Sequence, residues 1–123
     1  MQNAPQVLVA GNCGPDTWAL QGLLKELGAG EVHVAESSEE VKQLMGKQSF
    51  QLVLLNRVFD STGELALDIL PKLTADQRSR CMLISNFEDA HQAATKLGAK
   101  TGFGKRQLRD ATTRTLLQSA LES

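Results

Sequence analysis

The sequence predicts one α/β domain of three layers, in which helices cover both faces of a five-stranded parallel sheet. Two observations lead to this prediction. Short apolar runs alternate along the chain with segments whose apolar residues recur at helical spacing, and a length of 123 residues suits one domain. Strands that alternate with helices pair in parallel through right-handed crossovers. The whole chain, residues 1–123, is therefore expected to form a single domain.

The five predicted strands differ in their apolar pattern. The runs 7–10, 51–55 and 81–85 are almost continuously apolar, which predicts central strands buried on both faces. The segment 31–35 alternates between apolar and polar residues and suits an edge of the sheet, and 101–103 is a brief fifth strand. Together these features favour the flavodoxin-like, doubly wound strand order 2-1-3-4-5, whose topological switch point lies between the first and third strands.

Five helices are predicted from apolar spacing and from residues that start or stop helices. Ser37 and Glu40 have the spacing of a capping box at the start of the second helix. Pro71 is expected to kink or end the third helix, and Asn86 is expected to cap the fourth. Trp18 is expected to lie partly in the core at the start of the first helix. The approximate helix positions are 20–27, 37–45, 64–73, 86–97 and 107–121.

Charge and composition argue against several classes of protein. Thirteen basic and 14 acidic side chains give a net charge of −1, so no basic field would attract nucleic acid. No apolar run approaches the ~20 residues of a membrane helix, and no signal peptide is recognisable, which leads us to expect a cytoplasmic protein without membrane contact. Cys13 and Cys81 are too few for a disulfide framework or a zinc site and are expected to be reduced thiols. No metal and no cofactor is expected.

A resemblance to a known family rests on four strings that occur in a fixed order. They are VLVAGN, QLVLLN, LISNFED and LGAKTGFGK. They are similar to the first, third, fourth and fifth strands, with their following loops, in the receiver domain (CheY-like) of bacterial response regulators. The resemblance covers residues 6–121 and implies the receiver fold and a role in two-component signalling.

The same resemblance identifies the residues at the phosphorylation site of such domains. The family's acidic pair falls on Gly11 and Asn12, its phospho-acceptor aspartate on Asn56, its hydroxyl residue on Ser85 and its lysine on Lys105. An amide carries no anionic oxygen to attack phosphorus, and magnesium is bound through carboxylates and waters. We therefore expect a degenerate site that does not take part in conventional phosphoryl signalling.

The resemblance also implies how such a domain would act. In the family, the face formed by the fourth helix, fifth strand and fifth helix contacts partners or forms homodimers. The family's aromatic switch residue falls on Gly102, with Phe103 one place along, so a phosphorylation-driven rearrangement of this face is not expected. The expected function is that of a stand-alone receiver-like domain that binds another signalling protein without enzymatic turnover. On that face would lie His91, Thr95, Lys96, Lys100, Gly104, Arg106, Arg109 and Thr113.

Two alternatives remain open from the sequence. The first is a phosphorylatable domain with a displaced acceptor, for which Asp60 is the acidic candidate in the loop. The second is a flavodoxin-like thiol redox protein that uses Cys13, at a helix N-terminus. The family's carboxylates, which would neutralise Lys105, are missing from this sequence. Two outcomes are open: Asp60 or Asp16 pairs with Lys105, or Lys105 and the neighbouring loop N–H groups accept an anion.

Overall fold

The computed structural model describes residues 4–122 and contains one parallel sheet of five strands in the order β2-β1-β3-β4-β5. Every pair of neighbouring strands is parallel. The predicted three-layer fold and strand order are confirmed, including the edge position of the alternating second strand. The strands are β1 (Val7–Ala10), β2 (Val32–Ala35), β3 (Leu52–Asn56), β4 (Cys81–Ile84) and β5 (Lys100–Phe103).

Six α-helices connect and follow the strands within the described residues. They are α1 (Gly14–Glu26), α2 (Ser38–Lys47), α3 (Ala66–Ile69), α4 (Ala75–Ser79), α5 (Glu88–Lys96) and α6 (Ala111–Glu122). Two short 3₁₀ turns, Leu70–Lys72 and Lys105–Gln107, precede α4 and α6. The fourth and fifth predicted helices correspond to α5 and α6. Each of the six helices is too short or too polar to span a lipid bilayer.

The third predicted helix, 64–73, was wrong in both its bounds and its continuity. Leu65 is extended and forms an antiparallel bridge with Val58, so the helix begins only at Ala66. Pro71 has no N–H to continue the hydrogen-bond ladder, and the chain passes into a 3₁₀ turn there. Pro71 therefore ends the helix, as expected, and α3 is a single short turn.

The next helix, α4, was not predicted because its signal lies in its cap. The side chain of Thr74 accepts a hydrogen bond from the backbone N–H of Gln77, whose own side chain accepts one from the N–H of Thr74. This reciprocal capping box satisfies two donors of a helix of five residues that buries no side chain. The helix predicted for 107–121 begins instead at Ala111, because a 3₁₀ turn occupies residues 105–107.

The expected cap at Asn86 was also wrong. The residue at the N-cap position of α5 is Phe87, and its N–H donates to the Ser85 Oγ at 3.0 Å. The Asn86 Oδ1 accepts from the N–H of Arg106 at 3.3 Å, so its side chain joins the loop after β4 to the loop after β5. At α2 the expected cap is present, since the Ser37 Oγ accepts from the N–H of Glu40 at 3.2 Å.

The core consists of two apolar clusters, one on each face of the sheet. Successive side chains of a strand point to opposite faces, so β1 contributes Leu8 to one cluster and Val9 to the other. The first cluster packs α2, α3 and α5 on the sheet, and the second packs α1 and α6. Trp18 belongs to neither cluster and is 78% exposed, so the prediction that it contributes to the core was wrong.

A β-bulge interrupts the pairing of β4 with β5. Met82 pairs with Lys100 and Ile84 pairs with Phe103, so one residue of β4 faces two of β5. A Cβ on Gly102 would lie 1.9 Å from the carbonyl oxygen of Leu83, so only glycine fits there. The bulge places Phe103, which is 3% exposed, in the cluster beneath α1 and α6.

Candidate functional site

The five residues of the predicted site lie at or just after the C-terminal ends of neighbouring strands and therefore meet at one edge of the sheet. Asn56, Ser85 and Lys105 line an open cleft of about 450 Å³. Lys105 also lines a small adjacent cavity of about 20 Å³ together with Asn12. Gly11 lies buried beside the cleft, and its carbonyl oxygen accepts a hydrogen bond from the Asp60 N–H in the loop after β3. Parallel strands of an open α/β sheet bring their loops together in this way, which is why ligands bind at this edge.

Asn56 uses its amide as a hydrogen-bond donor. Its Nδ2 donates to the carbonyl oxygen of Gly11 at 3.0 Å and to that of Val58 at 2.7 Å. The residue is 7% exposed, so these hydrogen bonds satisfy the buried NH₂ group of its amide and join the loop after β1 to the loop after β3. An ionised carboxylate has no proton to donate to either carbonyl. The position where the family places a nucleophile therefore holds a structural amide.

The ring of Phe59 occupies the space beside Gly11, where the resemblance implies an acidic side chain. Gly11 has φ +80°, and a Cβ built there would lie 2.3 Å from a ring carbon of Phe59. Phe59 itself is 1% exposed. Both the backbone conformation and the ring therefore exclude a side chain at this position. The sequence analysis missed Phe59, and the available signal was a large apolar residue in a loop expected to be polar.

Lys105 forms an ion pair with Asp16, with 2.8 Å between Nζ and Oδ2. Of the two carboxylates considered from the sequence, Asp16 therefore supplies the counter-charge. The hydrogen bond from Lys105 lowers the pKa of Asp16, an effect that partial burial opposes and a hydrogen bond from the Cys13 thiol adds to. Asp60 is exposed and donates its backbone N–H to the Gly11 carbonyl at 2.9 Å. Within residues 4–122 its carboxylate forms no ion pair.

The Lys105–Asp16 pair predicts a specific acid dependence of stability. Because the folded-state pKa of Asp16 lies below its ordinary value of 3.8, its carboxylate stabilises the fold above that pH, and this contribution disappears as the pH falls through the lowered pKa. We expect Asp16→Asn to remove this part of the acid dependence while changing stability little at pH 7, since both side chains are about 40% exposed. Urea midpoints at pH 6, 4 and 2.5 measure it, with Asp89→Asn on α5 as the control. Parallel profiles for wild type and Asp16→Asn would contradict the assignment.

Ser85 uses both its hydroxyl and its backbone to position α5. Its Oγ accepts a hydrogen bond from the N–H of Phe87, the residue that precedes α5, and its carbonyl oxygen lies 2.7 Å from the His91 Nε2. A carbonyl oxygen only accepts, so Nε2 is the protonated nitrogen of the His91 ring. The His91 Nδ1 is buried and has no hydrogen-bond partner within the described residues. His91 thus connects α5 directly to the edge of the cleft.

A cation and an aromatic ring line the cleft near Ser85. The guanidinium carbon of Arg57 lies 4.7 Å from the ring centroid of Phe87, a side chain that is 55% exposed. Neither residue was assigned a role from the sequence. Within residues 4–122, no three His, Cys, Asp or Glu side chains cluster in a way that could hold a metal ion. The cleft therefore offers amides, a hydroxyl and two cations, with Asp60 as its carboxylate.

The two cysteines lie in different environments. Cys81 is buried in β4, and burial raises the pKa of its thiol to about 12, so it is expected to be inert near neutral pH. Cys13 is partly exposed at the N-cap of α1 and its thiol hydrogen bonds to the Asp16 carboxylate. Lys105, the nearby cation, is already paired with that same carboxylate. This arrangement offers Cys13 no unpaired positive charge, and the redox alternative gains no support from it.

Two of the eight residues predicted to form the partner surface are buried in the structure. Thr113 is 2% exposed and Gly104 is also buried, so neither can contact a partner. A Cβ on Gly104 would lie 2.4 Å from the Asn86 Oδ1, which explains the glycine. Exposed on this face are Thr95, Lys96, Arg106 and Arg109, and partly exposed are His91 and Lys100.

Comparison with solved structures places this fold among receiver domains. The signal receiver domain of an HD domain-containing protein from Pseudomonas fluorescens Pf-5 superposes with a TM-score of 0.80 and 20% identity, over 99% of this chain and 90% of that one. NtrX from Brucella abortus gives a TM-score of 0.79 and 20% identity over 98% of this chain, which spans 27% of NtrX. The beryllofluoride-activated NtrC4 receiver domain dimer gives 0.77 and 18% over 95% of this chain and 96% of that one. No family model and no curated protein matches the chain.

These likenesses establish the fold. The chain has the fold of response-regulator receiver domains, as the four sequence strings implied. At these identities the likeness does not extend to chemistry, which depends on the side chains at the strand ends.

Proposed function

We propose that the chain is a receiver-fold signalling module that binds a partner protein without being phosphorylated and without enzymatic turnover. The observation that carries this proposal is the hydrogen bonding of Asn56, whose buried amide donates to two carbonyl oxygens. Phosphorylation of a receiver-type site needs an anionic nucleophile at this position and a cation that neutralises the charge of the phosphoryl group. Here the nucleophile is replaced by a donor.

Two further contacts support the proposal. Phe59 fills the space beside Gly11, so position 11 has no room for an acidic side chain that could hold magnesium, and the other position of the acidic pair carries the amide of Asn12. Lys105, the cation that would otherwise contact a phosphoryl group, is bound by Asp16. Each component of a phosphorylation site is therefore either absent or engaged in an internal contact, while the fold is retained.

Output would then pass through a surface that does not need to rearrange. The α5–β5–α6 face, defined by Thr95, Lys96, Lys100, Arg106 and Arg109, is rich in exposed cations. His91 connects this face to Ser85 at the cleft by a direct hydrogen bond. The beryllofluoride-activated NtrC4 receiver domain is a dimer in its solution structure. For this chain, we propose a face that binds another signalling protein or a second copy in one constant conformation.

The experiment is a titration with magnesium and beryllofluoride, a phosphoryl mimic, followed by amide NMR. We expect no saturable shift at residues 56, 85 and 105 up to millimolar ligand. The single tryptophan is an unsuitable probe, since Trp18 lines neither the cleft nor the cavity beside it. Intact mass after treatment with a small-molecule phosphodonor provides the second readout.

The matched control distinguishes the displaced acceptor from the main proposal. Asp60 lines the same cleft as Asn56 and Lys105, so it is the carboxylate that could respond. A magnesium-dependent shift or an added phosphoryl mass that Asp60→Asn abolishes would overturn the proposal in favour of that alternative. A shift that Asp60→Asn leaves unchanged would overturn it as well, by locating another acceptor.

A further inference from the structure

The strand β2 forms one edge of the sheet and lacks the features that usually protect such an edge. It pairs only with β1, so its outer side presents unpaired backbone N–H and C=O groups to any other strand. Proteins commonly protect an edge with a lysine, a proline or a β-bulge. The opposite edge, β5, has Lys100 and a bulge at Gly102. The sequence of β2 is VHVA and its register with β1 is unbroken, so none of these features is present there.

The backbone groups available at this edge belong to Val32 and Val34. The carbonyl oxygen of Ala35 accepts a hydrogen bond from the N–H of Gly11 at 3.0 Å, so the Ala35 backbone faces β1. Backbone groups alternate in direction along a strand, so His33 also faces β1, whereas Val32 and Val34 face away from it. Within residues 4–122, no hydrogen bond reaches the outward N–H and C=O groups of the two valines. These groups can therefore pair with an added strand.

The side chain of Val34 gives this edge an apolar surface as well. Val34 is 40% exposed, although an apolar side chain gains stability from burial. Val32 lies on the same face of β2, where it packs partly against the cluster beneath α1 and α6. A strand that continues the sheet past β2 would extend this cluster and cover Val34, while its backbone pairs with the outward groups. Both the backbone and the side chains of the edge therefore favour strand addition.

The sequence of the edge is complementary to itself, which identifies the occupant as a second copy of the chain. With a twofold axis at His33, Val32 of each copy lies opposite Val34 of the other in an antiparallel pair. Both valines face outward, so each such pair exchanges backbone hydrogen bonds and brings two apolar side chains together. Glu31 then lies opposite Ala35 of the second copy and diagonal to its His33. Within residues 31–35, no carboxylate faces another, so the charges do not oppose the pairing.

We propose that the chain forms a twofold dimer in which the β2 strands of two copies pair antiparallel and join the two sheets into one. Because the strand has 4 residues, the interface is small, and we expect a reversible dimer with a dissociation constant of about 0.1 mM. The inference goes beyond the proposed function, because it assigns a surface at the opposite edge of the sheet from β5. The cleft and the α5–β5–α6 face stay exposed in both copies. The dimer presents that face twice, which raises its avidity for a partner with two matching sites.

Amide hydrogen exchange, followed by NMR at protein concentrations from about 10 µM to about 1 mM, tests the proposal. The amides of Val32 and Val34 should exchange quickly at low concentration and progressively more slowly as dimers form. The amides of His33 and Ala35 face β1, so they are the matched internal control and should exchange slowly throughout. Sedimentation velocity over the same range gives the dissociation constant. An isotope-filtered NOE between the Val32 and Val34 methyl groups of different copies reports the register.

Variants at position 34 distinguish this edge from other surfaces. Val34→Lys places a charge against Val32 of the second copy and should weaken the dimer by about tenfold or more. Val34→Pro removes an outward N–H that the pairing with β1 does not use, and it should abolish dimerisation. Val34→Thr keeps the β-branched shape and the N–H, so its dissociation constant should stay within about threefold of the wild-type value. The lysine and threonine variants keep every hydrogen bond to β1 and are expected to fold.

A protein that remains monomeric at about 1 mM would overturn the proposal. So would a dimer in which Val32 and Val34 exchange as fast as in the monomer, or one that Val34→Lys leaves intact. Lys96→Glu with Lys100→Glu on the other face should leave dimerisation unchanged. Loss of the dimer in that double variant, with Val34→Lys still dimeric, would instead assign self-association to the α5–β5–α6 face. These readouts lie at β2 and are independent of the beryllofluoride titration at the cleft.

Discussion

Asn56→Asp, the substitution that restores a carboxylate at the phospho-acceptor position, is expected to lower the free energy of unfolding by about 2–4 kcal/mol at pH 7. The amide at this position donates to the carbonyl oxygens of Gly11 and Val58. An ionised carboxylate would place negative oxygen against both of them in a residue that is 7% exposed. The protein should therefore be destabilised by an aspartate at position 56. We also expect that the variant is still not phosphorylated.

The pH dependence of this variant provides a check on the cause. The folded state would favour the protonated carboxyl, which can donate to one carbonyl, so the pKa of the introduced carboxyl should rise above its value in an unfolded chain. The destabilisation of the variant should then grow as the pH rises through the ordinary carboxyl pKa of ~4 and shrink in acid. Urea denaturation at pH 4.5 and 7 measures this, with Asn56→Ala as the uncharged control. A wild-type free energy of unfolding at pH 7, or a phosphorylated product, would refute the structural role of the amide.

The second large effect is expected at Gly11. Gly11→Ala should cost about 2–5 kcal/mol, from the left-handed backbone conformation and from overlap with the Phe59 ring. Gly11→Asp, which would begin to restore an acidic pair, should cost at least as much. Thermal and urea unfolding measure both variants.

A double-mutant cycle with Phe59→Ala separates the two causes. Phe59→Ala alone should cost about 3–5 kcal/mol, because the ring is fully buried. In that background Gly11→Ala should retain only the backbone cost of about 1–2 kcal/mol. An excluded salt such as sulfate can be added if the double variant is marginally stable. Additive costs, with no coupling between the two positions, would show that the ring is not what excludes a side chain from the corner.

Much of the fold could be predicted because the first four strands are either almost continuously apolar or alternating. The runs ending at Ala10 and Asn56 leave little choice other than central strands, and Gly28 and Gly98 end helices where they have positive φ. The misplaced bounds lie where local side-chain bonds compete with apolar periodicity. The capping box at Thr74 creates a helix that buries no side chain, and periodicity cannot detect such a helix.

The site could be predicted only as far as strand ends determine position. Asn56, Ser85 and Lys105 meet at one cleft because each lies at or just after the end of its strand, but the pairing of Lys105 with Asp16, in the first turn of α1, depends on tertiary geometry. Trp18 was misplaced for a different reason. It lies two residues before Leu20, a rotation of about 200° around the helix, so the spacing placed it outside the core and only its apolar character suggested otherwise.

The contact between Phe59 and Gly11 has a consequence for the mutational paths open to this chain. A phosphorylation site would need carboxylates near Gly11 and at Asn56, together with a smaller residue at position 59. Each of these changes alone is expected to remove a large part of the stability of a domain of this size, which is typically about 5–15 kcal/mol in total. Intermediates would therefore lose stability before a complete site could provide any benefit. The contact between Phe59 and Gly11 therefore opposes a gradual change toward a phosphorylation site. Each single substitution in that direction lowers the free energy of unfolding before the site is complete.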